Sequence, residues 1–329
     1  MSLQEVSDRN QWDTYVADSP YGHPLQLWGW GEAKRGSGWQ AVRLALVKDS
    51  QWQAAAQVLV WRIPKLGREL AYMPRGPMAD SGSEAAQQIL AELTTWAKER
   101  NVLYLRVEPA WVGGNLGAGW IHSKHHVQVP ETYVIDLSKS LEELLEPMGR
   151  KHRQYIRKSE RDGVKVAAGS SADIAAIYEI YTETAKRAGF GIHGREYYAE
   201  LMAQLGSNNH LFVARVDATP VAFLWLAAAG QTAYELYGGV TAQGAEIKAN
   251  YYLKWRAIQT MKEAGYQIYD FNGRLNEGVS RFKDGFGPRE VDYIGTWDYP
   301  VSRLGYQAWE RLWPVAKPVG RWAAKLIRP

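Results

Sequence analysis

One run of elements is written twice in this chain, and that repetition limits its fold more than any other feature of its 329 residues. Residues 41–61 read as two strands around a polar turn at Lys48-Asp49-Ser50. A short strand follows at Leu70 to Met73. Ser83 then caps a helix from Glu84 to Arg100, whose Ile89, Leu93 and Trp96 recur at helical spacing. A strand from Val102 to Val107 closes the unit. The second copy has a hairpin from Leu211 to Ala229 turning at Asp217 to Pro220, a strand at Ala233 to Tyr237, a helix from Glu246 to Ala264 and a strand from Gln267 to Phe271. The matching landmarks are Asp49 and Asp217, Ala71 and Ala233, Glu84 and Glu246, and Val102 and Gln267, all 162–168 residues apart. Helical stretches precede both copies, at 26–35 and 172–205. Such a length exceeds a usual single core, so two domains are expected.

Hairpin, strand, helix, strand is the order of the GNAT acyltransferase core. The fold expected is therefore α/β (α+β), with two tandem GNAT-like domains, each a twisted mixed sheet flanked by helices. The boundaries read as 1–136 for the first domain, 137–298 for the second and 299–329 for a basic amphipathic tail. Two paired units would enclose a cleft able to take a large substrate.

Composition removes several chemistries. The chain has no cysteine, which excludes disulfides, thiolate catalysis and cysteine-based zinc sites. Its seven histidines fall in no metal-ligand spacing, and His122, His125 and His126 on a Gly-rich stretch read as a solvated loop. No metal and no cofactor is expected. There is no G-x-S-x-G elbow, so covalent catalysis has no candidate nucleophile. The polar N-terminus does not read as a signal peptide, and no window reaches the ~18 apolar residues that span a bilayer. A cytoplasmic protein, touching the inner face of the membrane at most peripherally, is expected.

Three stretches carry a family likeness. Residues 269–299 read YDFNGRLNEGVSRFKDGFGPREVDYIGTWDY, with Tyr269-Asp270-Phe271, Phe282-Lys283, Phe286-Gly287 and an aromatic strand from Tyr293 to Asp298. Gln26 to Lys34 has the form Gln-x-x-x-Trp-x-x-x-Lys, and Met73 to Pro77 contains Pro-Arg-Gly-Pro. Together these resemble the Fem family of peptidoglycan-bridge aminoacyltransferases over most of residues 20–300. The chain departs from the pattern at Asn272, where glycine is usual, and it lacks the long charged arm of some members.

The resemblance implies transfer of a small amino acid (Gly, Ala or Ser) from aminoacyl-tRNA to the peptide stem of a peptidoglycan precursor. The acceptor is either UDP-MurNAc-pentapeptide or its lipid-linked form. Amine attack on an ester passes through an oxyanion, which needs a fixed cation or N–H donors. Lys283, beside Phe282 and close to Phe286, matches the family's stabilising lysine. Lys34, Arg75 and Arg195 are candidate contacts to the anionic acceptor, Lys34 and Arg195 by their match to the family. Tyr198 and Asn250 are further substrate-binding candidates. Arg75 reads equally well as a turn arginine meeting a carbonyl.

Two basic stretches remain. Residues 150–165 carry a local net charge of +5, and Arg150, Arg153, Arg157 and Arg161 share one helical face suited to tRNA phosphates or simply to water. Residues 303–328 are also net +5 and rich in tryptophan, with Pro314 and Pro318 expected to break them into two short helices. That tail is expected to pack on the first domain or to lie on an anionic membrane. A monomer is expected. Two other readings stand beside the aminoacyltransferase. One is an acyl-CoA-dependent GNAT enzyme, although 238–250 has no pyrophosphate-binding turn. The other is a non-catalytic RNA- or membrane-binding protein.

Overall fold

The computed structural model describes residues 1–64, 66–274 and 277–316. In chain order its first elements are β1 (Ser2–Glu5), α1 (Arg9–Asp18), α2 (Trp28–Ala33), β2 (Trp39–Lys48), β3 (Gln51–Arg62), β4 (Glu69–Arg75), α3 (Glu84–Glu99), β5 (Val102–Pro109) and β6 (Ile121–His122). Next come β7 (Glu131–Asp136), α4 (Leu141–Leu145), α5 (Arg150–Arg161), β8 (Lys165–Ala168), α6 (Ile174–Ala188), α7 (Arg195–Leu205), β9 (Asn209–Val216), β10 (Thr219–Ala229) and β11 (Thr232–Val240). The chain continues through α8 (Ala242–Glu246), α9 (Ala249–Glu263), β12 (Ile268–Asp270), α10 (Glu277–Asp284), β13 (Arg289–Asp292), β14 (Trp297–Pro300) and α11 (Arg303–Ala316).

Two mixed seven-stranded sheets form, in the orders β1-β2-β3-β4-β5-β14-β6 and β13-β7-β12-β11-β10-β9-β8. The repeat seen in the sequence is a repeat of topology. The run β2-β3-β4-α3-β5 matches β9-β10-β11-α9-β12, with antiparallel hairpins and one parallel pair in each, β4 with β5 and β11 with β12. Both hairpins turn through two non-glycine residues at positive φ, Asp49 and Ser50 in one and Asp217 and Ala218 in the other. Two successive positive φ values belong to the tight turn whose twist suits a hairpin.

The domain boundaries differ from 1–136 and 137–298. One unit is Met1–Pro130 with Asp292–Pro329, and the other is Glu131–Val291. The cause is a pair of flanking strands. β7 hydrogen-bonds to β12 in the second sheet, so 131–136 cannot belong to the first domain. β14 pairs with β5, so the chain returns to the first sheet after the second unit is complete. Each flanking strand thus sits beside the last strand of its repeat, where an edge would otherwise be left unpaired.

Each unit has its own core. In the first, Leu46, Val58, Met73, Ile89, Leu93 and Leu105 are fully or nearly fully buried, and α3 sends Ile89 and Leu93 into them. In the second, α9 supplies Leu253, Ile258 and Met261 against Leu226, Tyr269 and Phe286. The 303–328 stretch also departs from expectation, because α11 runs past Pro314 to Ala316. Pro318 lies outside the described residues. Tyr306 and Trp309 of α11 pack on Ile63, Leu70, Leu103 and Tyr104, so the start of the tail folds onto the first unit.

Candidate active site

The second unit contains a cavity of about 310 Å³ lined by Lys283, Phe282, Asn250, Lys254 and Glu235 among others. Its shape begins at the end of β12. The buried Asp270 carboxylate accepts from Thr132 Oγ1 at 2.6 Å and from the Asn272 N–H at 2.6 Å. The Gly273 N–H donates to Thr132 Oγ1 at 2.9 Å, so the turn is pinned from both sides. Asn272 has φ +50° in this turn. Asparagine tolerates that left-handed region better than most residues, which explains how it stands where the family usually has glycine.

That turn presents two carbonyls to one lysine. Lys283 Nζ donates to Phe271 O and to Gly273 O, each at 2.7 Å, while the residue is 6% exposed. An ammonium has three protons, and these bonds use two of them. Burial lowers Lys283 from 10.5 to about 8, Glu235 and Asp270 act to raise it, and Lys254 acts to lower it. The result is a poised cation in a partly dry place, the arrangement that stabilises a developing oxyanion. Phe282 lies against Tyr251 and Phe286, with ring centroids 4.9 and 5.5 Å away.

Lys254 and Glu235 have no counterpart among the residues singled out from sequence. Lys254 of α9 forms a buried ion pair with Glu235 of β11, and Glu235 Oε1 also accepts from Tyr269 OH at 2.7 Å. The Lys254 ammonium sits 4.8 Å from the centre of the Phe271 ring and 5.4 Å from that of Phe282. Burial lowers its pKa, against the opposing pull of Glu235. A signal did exist: Glu235 is the one charged residue in the apolar strand Thr232–Val240, and a lone charge inside a buried strand calls for a partner.

The other candidates are distributed. Tyr198 is buried in a tyrosine cluster with Tyr181 and Tyr237, and its hydroxyl accepts from the His193 N–H at 3.2 Å. Tyr181 and Tyr237 line the cavity, so the cluster forms part of its wall. Arg195 opens α7 with its side chain 57% exposed, 4.0 Å from the Glu196 carboxylate. In the first unit Lys34 is buried with Nζ 4.7 Å from the Trp30 ring centre. Arg75 is also buried. It donates to Val129 O at 2.8 Å and lies 4.6 Å from the Tyr293 ring, the contacts of a turn arginine.

The basic helix α5 divides. Arg150, Arg157 and Arg161 are exposed. Arg153 instead donates to the carbonyls of Leu145, Glu146 and Met148, satisfying the C-terminal end of α4. The four arginines therefore do not form one uniform free stripe. Among the described residues no group of three or more His, Asp and Glu side chains is placed to hold a metal.

Known proteins are similar to this chain in sequence and fold. A FemAB family model matches residues 8–117, and an acetyltransferase (GNAT) domain model matches 149–284. The lipid II:glycine glycyltransferase of Staphylococcus haemolyticus is 24% identical, over 95% of this chain and 96% of the relative. The protein of the same name from Staphylococcus aureus is 23% identical over 92% and 94%. The first alignment runs to 403 positions, more than this chain contains, so the relative carries residues that this chain lacks. The crystal structure of FemX superposes with a TM-score of 0.85 at 21% identity, covering 94% of this chain and 99% of that one. The tandem GNAT-like fold, the FemAB match over residues 8–117 and relatives aligned from end to end are what this chain shares with the Fem family.

Proposed function

We propose that the protein is an aminoacyltransferase that moves a small amino acid from aminoacyl-tRNA to the peptide stem of a peptidoglycan precursor. Lys283 carries the proposal: a buried ammonium with one proton uncommitted, in a cavity that has no Ser, Cys or His among its described lining residues. In the reaction an acceptor amine attacks the ester carbonyl of the donor, and the carbonyl oxygen takes up negative charge beside Lys283. The C–O bond to the ribose then breaks. The amine nitrogen gives up a proton, and the ribose oxygen takes one. Lys283 enters no covalent bond, so its work is electrostatic. Its burial keeps most water from the ammonium, which strengthens its effect.

The curated relatives are named for glycine transfer to lipid II. We take a lipid-linked precursor as the acceptor class, with UDP-MurNAc-pentapeptide as the soluble alternative. Lys34, Arg75 and Arg195 are proposed contacts to its anionic groups, and the exposed arginines of α5 are proposed contacts to tRNA phosphates. No helix among the described residues is long and apolar enough to cross a membrane. Contact with a lipid-linked acceptor would therefore be peripheral, through α11 and the basic residues after it. The GNAT match over 149–284 favours a second donor, an acyl-CoA. Incubation with mixed aminoacyl-tRNAs and each acceptor, then with acetyl-CoA in their place, separates the two by product mass. Addition of one amino-acid residue to the acceptor supports the proposal, and an acetylated product overturns it.

A further inference from the structure

Glu235 lines the same cavity as Lys283 with half of its carboxylate uncommitted. Both of its hydrogen bonds, from Lys254 Nζ and Tyr269 OH, end on Oε1. Among the described residues Oε2 has no hydrogen-bond partner, although the residue is only 7% exposed. It is also the only carboxylate among the described residues lining that cavity. A carboxylate offers about four acceptor positions, and Oε2 is not sealed in the core, so its positions stay open to a ligand in the cavity. The ligand that completes it should be a cation small enough to share the cavity with a reacting carbonyl.

The donor supplies one. In an aminoacyl ester the α-nitrogen is two bonds from the carbonyl carbon, about 2.5 Å away by standard dimensions. Wherever Lys283 meets the carbonyl oxygen, the α-ammonium lies in the same small cavity. We propose that Glu235 Oε2 receives the α-ammonium of the donor, so that the cavity selects aminoacyl esters over acyl groups lacking that amine. The inference rests on the aminoacyl reading above. Lys254 and Tyr269 fix the carboxylate in place by occupying its other oxygen. Lys283 and Glu235 then divide one ligand between them, the cation taking the carbonyl oxygen and the anion taking the amine.

The test compares tRNA charged with glycine against the same tRNA charged with glycolic acid, in which a hydroxyl replaces the amine. The readout is the ratio of the two kcat/KM values in wild type and in Glu235→Gln. Intrinsic differences in ester reactivity cancel between proteins, and so does any loss of folded enzyme, because both donors meet the same preparation. Glu235→Gln should slow glycyl transfer alone and shrink the ratio by roughly 10- to 100-fold, the worth of a charged hydrogen bond. The double variant Glu235→Gln/Lys254→Met, which leaves no unpaired lysine, should shrink it equally. An unchanged ratio in both variants overturns the subsite, and it is the result expected if Glu235 serves the acceptor amine or only the fold. A wild-type enzyme that transfers from neither ester overturns the donor assignment itself.

Discussion

His152 Nε2 lies 2.9 Å from the carbonyl oxygen of Phe282, tying α5 to α10 one residue before Lys283. The imidazole ring also packs on Phe286 and Tyr251, with centroids 5.0 and 4.9 Å away. Partial burial lowers its pKa, so at neutral pH the ring is an uncharged donor to that carbonyl. His152→Phe keeps the packing and removes the bond. It should cost about 1 kcal/mol of stability and lower kcat by about 10-fold through a less fixed Lys283. Unaltered kcat in the folded variant would make the bond purely structural.

Gly285 lets that ring approach. A Cβ there would stand 1.9 Å from His152 Cε1, closer than any real contact. Gly285→Ala should therefore destabilise the protein by roughly 1–3 kcal/mol, as overpacking does. A denaturant midpoint equal to that of wild type would contradict the packing described.

Lys283→Met should reduce turnover by roughly 10²- to 10³-fold with acceptor affinity retained. A rate within a few-fold of wild type would remove Lys283 from the mechanism. The pH profile gives a second check. The ammonium is needed as a cation, and burial brings it to about 8, so kcat should fall as pH rises through that value. Stability moves the other way. Between about 8 and the free-lysine value of 10.5 the unfolded chain binds the extra proton, so this residue's contribution to stability rises with pH. Lys283→Met should lack both trends.

The duplication was legible because its signals are local. Tight turns such as Asp49-Ser50 and Asp217-Ala218, and the periodicity of Ile89, Leu93 and Trp96, are set by neighbours in sequence. The domain seam was not, because β7 and β14 are defined by pairing with distant strands. Lys283 was singled out by its match to the family motif, whereas its burial and its two carbonyl partners depend on the fold of the β12 turn. The Glu235–Lys254 pair joins a strand to a helix, and no spacing rule links the two. Arg153 was grouped with its helical neighbours by periodicity, whereas three carbonyls of the preceding turn claim it.

Lys34→Ala and Arg195→Ala should each weaken acceptor binding by roughly 1.5–3 kcal/mol if the contact is a charge-assisted hydrogen bond. Lys34 is buried against Trp30, so its variant should also lose some stability, whereas exposed Arg195 should not. Calorimetry showing unchanged acceptor affinity in either variant would return that residue to a structural role.

The division within α5 decides how its role in tRNA binding is tested. Arg153→Gln would strip three carbonyls at the end of α4 of their donor, so a loss of tRNA binding there would mix folding with recognition. Arg157 and Arg161 are exposed and suit the experiment better. Each phosphate contact releases counterions, giving about −0.7 in the slope of log K against log[salt] with single-stranded nucleic acid. Arg157→Gln/Arg161→Gln should therefore shallow the slope by about 1.4, weaken binding at low salt and leave the melting temperature near that of wild type. Acceptor affinity should not change. A slope equal to that of wild type would make these arginines a solvated face, and the donor's phosphates would then have to be met elsewhere, with the basic residues after α11 the next to test.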